Sequence, residues 1–228
     1  MVTMTLNEVV GVHLDLDWEK IMTVKNSRLI QYQNNWIIVD KLDCIDDLNK
    51  LIEQVDPKDY SEFTTAMAGS YQRTFFNPSP YWNCDHNLKI PESWEEIKKK
   101  YENLIIDYLK YHEKFTDHLD KLSIDTAWTV SGKQGSYHTP HEHGLNGISV
   151  VIYTKTLNYE SPIDNGPIYF ILNCDEYDLF SSAYQRMPRF VPEEKMILIF
   201  PSWIIHGTLP QSIGERTTVN FDFRWEQL

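Results

Sequence analysis

Tyr137-His138-Thr139-Pro140-His141-Glu142-His143-Gly144, opening onto the β-branched run Ile148-Ser149-Val150-Val151-Ile152-Tyr153, is the stretch from which the rest of the chain can be read. Three of the eight histidines fall within this short segment, beside a carboxylate. In an extended segment the side chains at i and i+2 share a face, so His141 and His143 can reach one point in space. Two converging imidazoles are most of a metal site, and a third ligand must come from elsewhere. The candidate is His206, in the apolar run Phe200-Pro201-Ser202-Trp203-Ile204-Ile205-His206-Gly207. His138 lies three residues before His141, and a regular strand points it away.

Around this stretch the texture is that of strands. Ile124 to Ser131, Ile148 to Lys155, Ile168 to Leu172, Met196 to Phe200 and Thr217 to Trp225 are rich in β-branched and aromatic residues. Gly132, Gly135, Gly144, Gly147, Asp164-Asn165-Gly166, Pro188, Pro192 and Gly214 separate them. Upstream the pattern is helical. Asp43 to Val55 carries Ile45, Leu48, Leu51 and Ile52 at helical spacing, with Asp46 and Asp47 where the helix dipole favours negative charge. A longer pattern opens at Pro91 and places Trp94, Ile97, Tyr101, Leu104, Ile105, Tyr108, Leu109, His112 and Phe115 on one face. Trp36 to Val39 reads as a first strand. Residues 56 to 91, with aromatics among prolines and asparagines, read as a loop whose aromatic part, 71 to 82, could serve as a substrate flap or a homodimer contact.

Helices first and strands afterwards give an α+β arrangement, an antiparallel sandwich or barrel backed by helices. We read one domain over 1–228, with an N-terminal strand and supporting helices in 1–122 and a β core in 123–228. The 228 residues carry a formal net charge of -12, which works against a phosphate backbone as ligand, so nucleic acid is not the expected partner. Cys44, Cys84 and Cys174 lack CxxC spacing and suit a reducing compartment. With no signal-like N-terminus and no apolar run of membrane length, the expectation is a cytoplasmic protein without a membrane partner. His13, His86, His112 and His118 read as surface or core-edge residues.

Ten residues after His206, Arg216-Thr217-Thr218-Val219-Asn220-Phe221 puts a permanent charge at the start of the last strand, with Thr218 on the same face. A guanidinium directed inward needs an anion, either an internal acid or a bound dicarboxylate that its fork can grip.

His141-Glu142-His143, Ser149 to Tyr153, Gly166-Pro167-Ile168-Tyr169-Phe170, Phe200 to His206 and Arg216-Thr217-Thr218 together resemble the Fe(II)- and 2-oxoglutarate-dependent oxygenases. The branch they are most similar to is the prolyl-hydroxylase-like one, with the small oxygenases of phages and marine bacteria. The resemblance covers roughly 123 to 225 and implies a double-stranded β-helix (jelly roll, cupin-like) with N-terminal helices packed on one sheet. It implies Fe(II) and 2-oxoglutarate as cofactors, His141 and His206 as metal histidines, and Arg216 holding the distal carboxylate of 2-oxoglutarate with Thr218 and Tyr153. It implies a dioxygenase that hydroxylates a C–H bond of a protein, peptide or small molecule and releases succinate and CO2. Trp128, Tyr137, Tyr169 and Trp203 could line the mouth.

The chain departs from the family where His-x-Asp or His-x-Glu is usual, because His143 holds the third position. His143 is then the third ligand, with Glu142 or His138 as alternatives. Three neutral ligands also keep open a cupin-like metal-binding or non-catalytic barrel that turns over no 2-oxoglutarate.

Overall fold

The computed structural model describes residues 26–32, 34–55, 61–62, 67–76, 90–144, 146–156, 166–172, 187–212 and 214–226. Its strands are β1 (Arg28–Tyr32), β2 (Asn35–Lys41), β3 (Ser61–Glu62), β4 (Met67–Phe76), β5 (Leu122–His141), β6 (Gly147–Lys155), β7 (Ile168–Ile171), β8 (Arg189–Phe190), β9 (Met196–Pro201), β10 (Ile205–Thr208) and β11 (Arg216–Trp225). Among the described residues two α-helices accompany them, α1 (Asp46–Glu53) and α2 (Trp94–Tyr111). The strands form one antiparallel path, β1-β2-β9-β6-β11-β5-β10-β7-β8, with β4 on the other edge of β5 and β3 beyond it.

The path curls because β5 serves two neighbours in succession. Its first half pairs with β11, Gly132 opposite Arg216 and Leu122 opposite Trp225. Its far end pairs with β10, His141 opposite His206. A strand of 20 residues therefore carries the sheet around a corner.

Alternation along the central strands builds two cores. Trp36 and Ile38 of β2, Ile148, Val150 and Ile152 of β6, Ile197 and Ile199 of β9, and Val219, Phe221 and Phe223 of β11 face outward to the helices. There they meet Leu48 and Leu51 of α1 and Trp94, Ile97, Tyr101, Ile105 and Tyr108 of α2. The opposite faces of the same strands, with Ile37, Val39, Val151, Tyr153, Leu198 and Phe200, close on Ile168, Phe170 and Ile204 to fill the barrel. Fully buried side chains such as these contribute roughly 1.5–3 kcal/mol each by leaving water. This is the double-stranded β-helix with helices on one sheet that the sequence led us to expect.

Four local expectations are corrected. The aromatic stretch read as a loop is in part strand: Tyr71, Phe75 and Phe76 belong to β4, zipped to β5 from Met67 opposite His138 to Phe76 opposite Ala127. Tyr81 and Trp82 lie outside the described residues, as do His13, His86, Cys84 and Cys174. Gly132 and Gly135 do not break β5. Ala68 and Ser70 face Tyr137 and Gly132, so the extra β5 residues bulge out, and Gly135 makes the turn with φ of 81°. The long helix stops at Tyr111, short of Phe115, because Glu113 and Phe115 adopt positive φ. The hairpin strand β1 and the short strand β10 were not foreseen as strands. Among the described residues no helix is long and apolar enough to cross a membrane.

Candidate metal centre and anion pocket

β11 places the polar half of the site by strict alternation. Its odd positions Val219, Phe221 and Phe223 enter the helix-side core, and its even positions Arg216, Thr218, Asn220 and Asp222 are buried on the barrel side. β5 and β10 supply the other half. His141 and His206 are direct partners across these two strands, and His143 follows in the segment after β5.

The three rings converge. Ring centroids are 4.5 Å apart for His141 and His206, 5.0 Å for His143 and His206, and 5.2 Å for His141 and His143. Their candidate ligand atoms all lie within 4.8 Å of one another. Each Nδ1 is already engaged: His141 Nδ1 with Thr139 O at 2.8 Å, His206 Nδ1 with Ile204 O at 3.0 Å, and His143 Nδ1 with Asp222 Oδ1 at 2.9 Å. A carbonyl or carboxylate oxygen accepts, so Nδ1 donates in each ring and Nε2 keeps its lone pair for a cation. Burial also favours the neutral form of two of the rings. It lowers the His141 pKa and takes His206, packed against Phe170 and Phe200, well below 6.5. Three imidazoles whose Nδ1 atoms are engaged, leaving Nε2 to face one another, suit an imidazole-binding divalent ion such as Fe(II). Glu142 is exposed and outside the cluster, so it is not placed as the alternative ligand.

Arg216 is 5 % exposed. Its Nη1 donates to Gly166 O and its Nη2 to Thr208 Oγ1 at 3.3 Å. Gly166, with φ of 60°, is required there, since a Cβ would lie 2.9 Å from Arg216 Nη1. Among the described residues no carboxylate comes within 4.0 Å of Arg216. No acid among the described residues therefore explains the buried charge, which is costly to leave without an anion. Tyr153 is fully enclosed beside it, its phenol raised to about 12 by burial against the opposing pull of Arg216. Thr218 is the direct partner of Tyr153 across β11 and β6, and its hydroxyl accepts from Asn220 Nδ2 at 3.0 Å.

His138 does not point away as it would in a regular strand. Pairing with β10 shifts register between His206 and Thr208, three β5 residues spanning what two do on β10. That bulge turns His138 inward, its ring 6.0 Å from His141. Its backbone N–H donates to Thr208 Oγ1 at 2.9 Å, the hydroxyl that also receives Arg216 Nη2. Among the described residues its buried Nε2 has no hydrogen-bond partner, and burial first, then Arg216, lowers its pKa to about 3. An orphan buried nitrogen between the histidine cluster and Arg216 is a further place for a polar ligand atom. Of the expected mouth residues, Trp128 is half-buried with its ring 5.4 Å from His143, Tyr137 is exposed, Tyr169 approaches Gly207, and Trp203 packs on Phe115. His112 and His118 stand apart, His112 on Ser27 Oγ at 2.6 Å and His118 exposed.

Residues 126–222 match the family model described as "Putative 2OG-Fe(II) oxygenase". No curated protein sequence matches the chain. Among solved structures, a prolyl hydroxylase of Trichoplax adhaerens, in complex with a hypoxia-inducible-factor peptide, superposes with a TM-score of 0.57 at 13% identity, covering 92% of this chain and 94% of its own. An oxidoreductase of the 2OG-Fe(II) oxygenase family from Burkholderia pseudomallei gives 0.56 at 12%, covering 82% and 84%. HygX of Streptomyces hygroscopicus, with nickel and 2-oxoglutarate bound, gives 0.52 at 11%, covering 92% and 87%. At such identities the likeness is one of fold.

Proposed function

We propose that this chain, whose residues 126–222 match a 2OG-Fe(II) oxygenase family model, is such an oxygenase, takes Fe(II) and 2-oxoglutarate as cofactors and hydroxylates a C–H bond of a protein, peptide or small-molecule substrate. The observation that carries the reading is the pairing of a three-imidazole cluster with a buried arginine that has no acid beside it among the described residues.

His141, His143 and His206 would hold the metal through Nε2. Bound together, Fe(II) and 2-oxoglutarate supply the oxidising chemistry, in which O2 is divided between succinate, formed with CO2, and the new hydroxyl group. The remaining work belongs to the chain. Arg216 binds the distal carboxylate of the diacid through the N–H groups that Gly166 and Thr208 leave over, and the Tyr153 and Thr218 hydroxyls add donors from the neighbouring strands. His138 Nε2 offers one more polar contact between the two ends. Phe170 and Phe200 wall off His206 and exclude water on the barrel side. Trp128, half-exposed beside His143, gives the substrate a flat surface at the mouth.

A peptide side chain is the preferred substrate class over nucleic acid, since the chain carries a formal charge of -12. The test is aerobic incubation of Fe(II)-loaded protein with 2-oxoglutarate, following succinate by NMR. Succinate that requires both iron and oxygen is the expected result; none above a metal-free control would remove the reading.

A further inference from the structure

Of the three candidate ligands, one is backed differently from the other two. His141 and His206 each rest on a backbone carbonyl, two residues before them in sequence. His143 rests on Asp222, the only carboxylate hydrogen-bonded to any of the three rings among the described residues. Asp222 is 8 % exposed, and its only basic partner within 4.0 Å among those residues is the His143 ring. A buried carboxylate with no arginine or lysine is costly unless a positive charge lies near.

The surroundings fix both partners. Ser149 faces Asp222 directly across β6 and β11 and donates to Asp222 Oδ1 at 2.7 Å. Ser202 Oγ lies 3.3 Å from Ser149 Oγ and accepts from Arg224 Nη1 at 2.9 Å. Arg224 Nη2 donates to His143 O at 2.6 Å, and His143 N–H donates to Ser202 O at 2.9 Å. Arg224 thus holds the His143 backbone and leaves the carboxylate to the ring. Asp222 itself is not one of the clustered ligand groups.

We propose that Asp222 is the anionic partner of the metal centre, acting through His143 as a positioning residue. Three neutral imidazoles do nothing to offset the charge of a divalent ion. A carboxylate on the far side of one ring does so, because it accepts the Nδ1 proton more strongly as Nε2 gives its lone pair to the cation. His143 becomes the strongest donor of the three. This inference rests on the three-histidine reading of the site.

The test is Co(II) titration of the full-length metal-free protein, reading the dissociation constant by chelator competition and the visible d–d absorption of bound Co(II). Asp222→Asn keeps an acceptor for Nδ1 but removes the charge. It should keep one Co(II) per chain, weaken binding about 10- to 100-fold, and shift the d–d bands. His143→Asp should bind poorly, because its new carboxylate would sit against Asp222, and His143→Asp with Asp222→Asn should bind better than His143→Asp alone. A merely structural Asp222 predicts the reverse order, each change adding damage. If Asp222→Asn does not fold, the His143→Asp pair decides. Asp222→Asn within twofold of the parent with the same spectrum, or a double variant weaker than His143→Asp, overturns the proposal. A parent protein that takes up no Co(II) overturns the three-histidine reading itself.

Discussion

Replacing Arg216 by methionine separates the two halves of the site. The guanidinium has five N–H groups, of which one meets Gly166 O and one meets Thr208 Oγ1, leaving the others for an anion. Hydrogen bonds to a charged group are worth about 1.5–3 kcal/mol each. A bidentate carboxylate that loses both loses about 3–6 kcal/mol, or roughly two to four orders of magnitude in dissociation constant at ~1.4 kcal/mol per tenfold. The fold should suffer far less. Gly166 O loses its donor, which costs about 1–3 kcal/mol, but a buried charge without an acid among the described residues is removed at the same time. Anaerobic calorimetry of 2-oxoglutarate binding to Fe(II)-loaded protein reads the first effect, and urea unfolding of the metal-free protein reads the second. Arg216→Met binding 2-oxoglutarate within about threefold of the parent would refute the assignment of this arginine to the diacid.

Three further outcomes are expected. His141→Ala and His206→Ala should each abolish stoichiometric Fe(II) or Co(II) binding, as read by metal analysis after gel filtration; metal retained by both would undo the ligand assignment. Metal-free protein should lose stability as pH falls from about 6.5 toward 3. Over that interval the unfolded chain protonates histidines that burial keeps neutral when folded, His138 with its pKa near 3 most clearly, at up to ~1.4 kcal/mol per pH unit for each. An unfolding midpoint in urea that is the same at pH 7 and pH 5 would contradict this. Phe221→Ala should cost about 3–5 kcal/mol in urea unfolding, since its ring is fully buried 5.3 Å from Tyr101 and 6.3 Å from Trp94.

Much of the barrel could be read from alternation. β11 shows its two faces in the sequence itself, apolar at 219, 221 and 223 and polar at 216, 218, 220 and 222, because side chains in a strand have a period of two. His141 and His143 stand at i and i+2 in what the sequence suggests is an extended segment, although β5 ends at His141, and His206 stands out as a lone imidazole in an apolar run. What could not be read depends on partner strands. His138 turns toward His141 only because β5 slips register against β10, and no local pattern announces a bulge. Asp222 and Ser149 meet His143 because β6 lies beside β11, a neighbour relation between residues 73 apart. Tyr71, Phe75 and Phe76 looked like loop because prolines and asparagines follow them, while their own run of aromatic and β-branched residues is a strand held by β5.

The proposed function requires three imidazoles and one guanidinium to hold a metal and a diacid in the same barrel. Anaerobic addition of 2-oxoglutarate to the Fe(II)-loaded protein tests it directly, through the metal-to-ligand charge-transfer absorption of a 2-oxo acid on iron. The prediction is a visible band that saturates with 2-oxoglutarate in the parent, is lost in His206→Ala and requires far more diacid in Arg216→Met. Iron bound at one per chain with no band at saturating 2-oxoglutarate would contradict the claim.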